Sequence, residues 1–205
     1  MSTIEEGYFD HITEHPEISF QDVSIIRRSC PKADWVLDIG CGRGGFVKAA
    51  GRELPRALGL DNQPQAGRIC HDQGVPFVLA DAQRLPFLTG SIDVVRAKEI
   101  IEHLPDSRQM LSEIKRILRP GGLLLAHVPS QFSALYPVGN FWDDYTHVRP
   151  LSRSGLYRLL SDTGFAVDSI RGYTAGRNTF ERTLGRALSL VAPHTWRAVS
   201  TREAA

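Results

Sequence analysis

Val36-Leu37-Asp38-Ile39-Gly40-Cys41-Gly42-Arg43-Gly44-Gly45 is the stretch from which the fold is read. The apolar run from Ala33 to Ile39 reads as a short buried strand, and the glycines behind it mark a tight turn opening a helix from Phe46 to Arg52. Arg56 to Leu60 then reads as a second strand ending at Asp61. Residues 33–61 therefore form one strand, turn, helix, strand unit.

Outward from that unit the alternation continues. A helix is expected over Gln65 to Gln73, strands over Phe77 to Ala80 and Ile92 to Ala97, and a turn over Glu99 to His103. Met110, Leu111, Ile114, Ile117 and Leu118 lie at helical spacing in Ser107 to Leu118, a helix that Arg119-Pro120-Gly121-Gly122 should end before the apolar strand Leu123 to Val128. Pro129 to Pro150 has no clear period and many aromatics, and its length suits a functional loop. A helix over Ser152 to Thr163 capped by Gly164, a strand over Phe165 to Ile170, a helix over Thr179 to Val191 and a strand over Thr195 to Ser200 complete the chain. On the N-terminal side, Ile18, Val23, Ile25 and Ile26 give Glu17 to Ser29 an amphipathic stripe that Pro31 stops.

Alternating strands and helices predict an α/β fold: a doubly wound, Rossmann-like, mostly parallel seven-stranded sheet with helices on both faces and an antiparallel last strand. One domain is expected over residues 1–205, with an N-terminal helical lid over 1–30, a cofactor-binding half over 33–129 and a substrate-side half over 130–205. In such sheets ligands bind at the carboxyl ends of the strands, where Asp38 to Gly45, Asp61, Asp81 and Arg96 to Glu99 all fall.

The chain has 205 residues, 42% hydrophobic and 23% charged, with a net charge of +1, which gives no field to attract nucleic acid or an anionic membrane. Glu5, Glu6, Asp10, Glu14, Glu17 and Asp22 precede any Lys or Arg, and the stretch from Arg171 is Arg-rich; both are read as solvated faces. Cys30, Cys41 and Cys70 form no C-x-x-C pair and fit a reducing compartment. The acidic stretch Met1 to Glu6 lacks a secretory n-region and no apolar run would span a bilayer, so a cytoplasmic location is expected.

Gly40, Gly42 and Gly45 also fit the G-x-G-x-x-G spacing of a dinucleotide fold, with Asp61 where a ribose-binding acid stands. Asp38 decides against a pyrophosphate: a carboxylate beside the turn repels phosphate and suits a ligand carrying an ammonium and a sulfonium. S-adenosylmethionine has both cations and no phosphate.

At Val36 to Gly44 the chain resembles the first motif of class I S-adenosylmethionine-dependent methyltransferases. Gly59-Leu60-Asp61 resembles the second motif, whose acid binds the ribose hydroxyls, and Ala80-Asp81-Ala82 with Leu85-Pro86-Phe87 the third, whose Asp faces the adenine amine. Asp93 to Glu99 with Glu102-His103-Leu104 resembles the fourth, and Leu118 to Gly122 the turn before the fifth strand. The likeness covers about residues 33 to 171. It implies a cofactor set of Asp38, Gly40, Cys41, Gly42, Gly44, Asp61, Asn62, Asp81, Ala82 and Lys98. Arg96 and Lys98 stand where the family more often has small or neutral residues, which leaves a backbone contact as the reading for Lys98. Asp81 has a second reading, a cap for the turn that follows.

Methyl transfer is an in-line displacement that asks the protein to align donor and acceptor about 3 Å apart and exclude water. A hydroxyl acceptor also needs a base. Asn140-Phe141-Trp142-Asp143-Asp144-Tyr145-Thr146-His147-Val148-Arg149-Pro150 follows the fifth strand, beside the expected site of the methyl group, and its Asp-x-Thr-His-Val-Arg-Pro core resembles small bacterial methyltransferases acting on sugars, glycans and natural products. His147 is the expected base, with Asp144 and then His103 as further catalytic candidates. The other reading of His147 is a loop-fixing bond to backbone with Arg149 as ion-pair partner. Asp143 and Asp144 lack a clear third ligand, so no metal is assigned. Tyr8 and Phe9 are candidate lid residues, and Phe132, Tyr136, Phe141 and Trp142 either line an apolar acceptor pocket or form the loop's own core.

The expectation is methyl transfer from S-adenosylmethionine to a small molecule, most readily a hydroxyl of a sugar, polyol or natural product. No nucleic-acid or membrane partner is expected. The rivals are a nicotinamide oxidoreductase, for which no Tyr-x-x-x-Lys set is visible, and a non-catalytic cofactor-binding regulator.

Overall fold

The computed structural model describes residues 16–135, 141–174 and 192–203. Seven strands form one sheet: β1 (Trp35–Ile39), β2 (Arg56–Asp61), β3 (Phe77–Leu79), β4 (Ile92–Lys98), β5 (Leu118–Pro129), β6 (Phe165–Tyr173) and β7 (Thr195–Arg202), in spatial order β3-β2-β1-β4-β5-β7-β6. β1 pairs parallel with β2 and β4, β2 with β3 and β4 with β5, while β7 runs antiparallel to both β5 and β6. The order reverses between β1 and β4, which puts the switch-point crevice at the ends of those two strands.

Among the described residues, five helices cover the sheet: α1 (Pro16–Ser29), α2 (Gly45–Ala50), α3 (Pro64–Asp72), α4 (Ser107–Ile117) and α5 (Arg153–Asp162). Successive side chains of a strand face opposite ways, and the two faces hold separate cores. Leu37, Ile39, Val95, Ala97, Leu124 and Ala126 pack against Met110, Leu111, Ile114 and Ile117 of α4 and Leu156 and Leu160 of α5. Val36, Val94, Leu123 and Leu125 pack against Val23 and Ile26 of α1 and Phe46 and Ala50 of α2. The helix starts carry the expected chemistry. Asp106 accepts from the backbone N–H of Arg108 and Gln109, Ser152 Oγ accepts from Gly155, and Pro64 opens α3. Gly164, at φ 83°, stops α5 as expected.

The structure moves five expectations. β5 begins at Leu118: Ile92 pairs with Leu118 and Val94 with Leu123, so Arg119 to Gly122 bulge out of a strand already under way, with Gly121 at φ 75°. β6 extends to Tyr173 and β7 to Arg202 because each pairs with the other along that length. α1 is a fixed layer of the core, with Val23 and Ile26 buried; the part of the expected lid before Pro16, including Tyr8 and Phe9, lies outside the described residues. Asp22 is not a solvated acid but is fully buried on α1. The expected helix over Thr179 to Val191 lies outside the described residues.

Candidate active site

The crevice opens where β1 runs into the glycine turn. Gly40, Gly42 and Gly44 take φ values of 71°, 52° and 76°, left-handed backbone that favours glycine. A Cβ at Gly44 would lie 2.8 Å from Val75 Cγ1, so that position is closed to a side chain on steric grounds as well. The N–H groups of Gly40 and Cys41 both donate to Leu60 O of β2, at 2.8 and 3.1 Å. Asp61, one residue on, closes the same loop from the other side: its Oδ2 accepts from Gly42 N at 3.0 Å and its Oδ1 from Gln63 N at 3.0 Å. Burial raises the Asp61 carboxyl, and bonds from the Gln63, Gly42 and Asn62 backbone pull against it. The turn and the acid that sequence spacing brings together are therefore tied by a hydrogen bond.

Asp81 Oδ1 accepts from Gln83 N at 2.8 Å and Arg84 N donates to Asp81 O, so the capping reading is realised. Ala82 behind it is buried. Cys41 packs with Val47, Cys70 and Val75, and a Cβ at Gly59 would lie 2.6 Å from its Sγ, which accounts for the glycine there. Burial, then the neighbouring Asp38, pushes the Cys41 thiol far up, so it acts as a packing residue.

Asp38 is placed differently from the sequence reading. Its carboxylate faces the α1 side of the sheet, where Oδ1 accepts from Arg96 Nη1 at 2.8 Å. Asp38 and Arg96 are register partners on β1 and β4, so the sheet itself sets the pair. Arg96 Nε donates to Asp22 Oδ2 at 2.8 Å, and its guanidinium lies 4.4 Å over the Phe46 ring. Asp22 also meets Arg197 Nη1 at 3.5 Å and His127 Nε2 at 3.1 Å, and His127 Nδ1 lies 2.9 Å from the Tyr173 hydroxyl. Asp38, Arg96 and His127 thus form a polar row across β1, β4 and β5 on the face α1 covers, and Asp22 is its counter-charge. The charge of Asp38 is already opposed from inside the core, which removes the simplest electrostatic argument for a direct ammonium contact. Burial raises the Asp38 carboxyl, with Arg96 opposing.

Beyond Lys98 the chain leaves β4 through Glu99, a non-glycine residue at φ 51°, whose N–H donates to His127 O at 3.0 Å. This left-handed turn costs about 1 to 3 kcal/mol and directs the next residues back over the crevice. A Cβ on Gly40 would lie 3.3 Å from Ile100 Cδ1, so the segment rests directly on the glycine turn. A short 3₁₀ turn, Ile101–His103, follows.

The loop after β5 docks on that turn. Val148 N donates to Glu102 O at 2.8 Å, and the His103 and His147 rings lie with centroids 4.6 Å apart. His147 Nδ1 lies 2.7 Å from Phe141 O, and its ring stacks on Phe141 at 4.5 Å. The loop-fixing bond read as an alternative is therefore made, but by Nδ1 alone, and the acid near Nε2 is Asp144, with Oδ2 at 3.9 Å, while Arg149 makes no such pair among the described residues. His103 Nδ1 lies 2.7 Å from Thr146 Oγ1, which itself donates to Asp144 Oδ1 at 2.6 Å. Burial first, and then the neighbouring His147, lowers the His103 pKa. Burial raises the Asp144 carboxyl, but the two Thr146 bonds outweigh it and hold it low.

The structure thus brings all three catalytic candidates, His147, Asp144 and His103, into one cluster. It adds Glu102, which sequence reasoning passed over. The signal was present: two carboxylates in Glu99-Ile100-Ile101-Glu102, the second fully buried. Of the aromatic candidates, Phe141 is the loop's own core and lies edge-on to Trp142 at 4.9 Å, whereas Trp142 is 61% exposed. Phe132 packs against the main core, and Tyr136 lies outside the described residues.

Residues 37–126 match a family described as a methyltransferase domain. The chain is 33% identical over 186 residues to an uncharacterised 37.1 kDa protein in a transposon of Streptomyces fradiae, covering 81% of this chain and 53% of that one. It is 30% identical over 173 residues to a probable S-adenosylmethionine-dependent methyltransferase of Mycolicibacterium smegmatis, covering 80% of this chain and 65% of the relative. It therefore spans between about half and two thirds of the length of these curated relatives. The crystal structure of a SAM-dependent methyltransferase from Archaeoglobus fulgidus superposes with a TM-score of 0.70 at 21% identity, over 97% of this chain and 98% of that one, and so shares the fold. Among the described residues, no helix is long and apolar enough to cross a membrane.

Proposed function

Because this chain carries a class I S-adenosylmethionine-dependent methyltransferase domain, we propose that it binds S-adenosylmethionine and transfers the methyl group to a hydroxyl of a small molecule. The observation that carries the reading is Asp61. It ends β2 and bonds the Gly42 N–H, so the ribose-binding acid and the glycine turn form one preorganised edge. A carboxylate in that position accepts two vicinal hydroxyls through charge-assisted bonds. Asn62 and Asp81 continue the edge toward the adenine, and the backbone of Gly40 to Gly44 and of Lys98 holds the amino-acid end.

The acceptor belongs at the His103 and His147 cluster, because Ile100 of that segment touches the glycine turn. His147 Nδ1 is engaged by Phe141 O, so Nδ1 carries the ring hydrogen and Nε2 presents a lone pair to a hydroxyl proton. As the methyl group transfers, the sulfonium charge is lost, oxygen gains the methyl and the proton passes to Nε2. Asp144 acts through Thr146 and keeps His103 in place beside His147.

Calorimetric titration with S-adenosylmethionine, S-adenosylhomocysteine and NAD side by side tests the class. Binding of the first two alone supports the reading; binding of NAD alone replaces it with a nicotinamide oxidoreductase. Hydroxylated acceptors are then screened for methyl incorporation.

A further inference from the structure

We infer that Glu102, His103 and His147 form a binding site for one divalent transition-metal ion, which takes the acceptor oxygen as a further ligand. A donor atom from each of the three lies within 4.8 Å of the others. Glu102 is 1% exposed, and neither of its carboxylate oxygens accepts a hydrogen bond of good geometry among the described residues. Another acid, Glu99, lies within hydrogen-bonding reach of it. Lys98 is the positive charge nearest in effect to both acids, but among the described residues it donates to neither Glu102 oxygen, so the buried Glu102 carboxyl keeps acceptor positions that a bound cation would fill.

The hydrogen bonds around the two imidazoles supply a second, independent argument. Asp144 only accepts, so the Thr146 hydroxyl gives it its hydrogen and must in turn accept from His103 Nδ1. Phe141 O likewise accepts from His147 Nδ1. Both rings are thereby fixed in the tautomer whose Nε2 lone pair is bare. Orientation of ligand histidines by an outer carbonyl or carboxylate is the arrangement metal sites need. Two imidazole nitrogens and one carboxylate suit zinc or a neighbouring first-row ion better than magnesium or calcium, which favour all-oxygen shells. Three protein ligands leave open positions, and the cluster meets solvent on the side of the two histidines, which are only partly buried.

This inference rests on the acceptor reading of the same cluster and changes one step of it. With the ion bound, the acceptor hydroxyl coordinates the metal and loses its proton to solvent, the oxygen then takes the methyl group, and the lone pair of His147 is spent on the ion.

The test uses tag-free, chelator-treated protein titrated with Co²⁺ followed by visible absorption, and with Zn²⁺ in competition. One equivalent with a tetrahedral or five-coordinate cobalt spectrum is expected. Glu102→Gln and His103→Ala should each weaken it roughly 10²-fold, whereas His71→Ala should not change it. No cobalt band, or equal affinity in Glu102→Gln with unchanged circular dichroism, overturns the metal site. S-adenosylhomocysteine binding is measured on the same samples. Cofactor binding without metal binding removes this inference and leaves the methyltransferase reading. Metal binding without cofactor binding does the reverse.

Discussion

Arg96 Nη1 and Asp38 Oδ1 meet at 2.8 Å across paired strands, and both side chains are almost fully buried beneath α1. The pair lies directly under the glycine turn, since Asp38 is two residues before Gly40. Asp22 on the same guanidinium makes the cluster two acids to one base, and Arg197 at its edge supplies further positive charge. Burial alone would lower the Arg96 pKa, but Asp38 and Asp22 outweigh it and hold the guanidinium charged.

Arg96→Met should therefore destabilise the fold by about 3 to 5 kcal/mol, because it leaves two buried carboxylates without their common partner. Urea unfolding followed by circular dichroism reads this directly. A variant that also carries Asp22→Asn should recover part of the loss, since one uncompensated charge is removed with the first. Full additivity of the two losses would show that the residues do not act together.

Asp61→Ala tests the cofactor edge. The expected outcome is a loss of S-adenosylhomocysteine affinity of roughly 10²-fold, the equivalent of about 3 kcal/mol for two charge-assisted bonds. The strand pairing of β2 is set by its backbone, so the circular dichroism spectrum should be unchanged. Equal affinity in the variant would end the ribose assignment.

How far the sequence carries depends on whether a residue's partner is local. Gly40 to Gly44 and Asp61 are legible because a left-handed turn and a strand-end acid must sit at those spacings to work. Asp22 is not legible. Its partner Arg96 is far along the chain, and an acid among five other acids looks like a solvated face until α1 is laid on β4. His147 and Asp144 could be singled out from their loop, but their meeting with His103 depends on that loop docking through Val148 N to Glu102 O. Glu102 was hidden by the same fact, for only the docked loop shows that its carboxyl is sealed in. Arg119 to Gly122 reads locally as a plain turn, and only the pairing of Leu118 with Ile92 reveals it as a bulge within β5.

The buried polar row also fixes an acid response. Burial lowers the His127 pKa below the ordinary histidine value near 6.5, although Asp22 pulls it up, so the folded chain holds it neutral while the unfolded chain protonates. Stability from this group is complete above about pH 6.5 and falls as the pH drops toward the folded pKa. Asp22 follows lower down. Burial pushes its carboxyl up, but His127 and Arg96 outweigh this and hold it well below the carboxylate range, so its contribution is full above about pH 4 and lost in stronger acid. Urea midpoints measured from pH 8 to pH 4 should decline from about pH 6.5 in the parent chain. His127→Leu should flatten that upper part; an unaltered upper part would show that His127 does not carry it.

His147→Ala bears on the chemistry itself. Removing the imidazole deletes the lone pair offered to the acceptor, as base or as metal ligand, but leaves the glycine turn and Asp61 untouched. Turnover should fall roughly 10²-fold or more at unchanged S-adenosylhomocysteine affinity. Asp144→Asn is the informative companion. Its side-chain oxygen still accepts from Thr146, so the chain of bonds to His103 survives with a weaker acceptor, and the loss should be smaller, within about tenfold. Should Asp144→Asn fall as far as His147→Ala, the carboxylate charge 3.9 Å from His147 Nε2 acts on that ring directly and not through Thr146. A His147→Ala enzyme with the parent's rate would take the acceptor away from this cluster altogether.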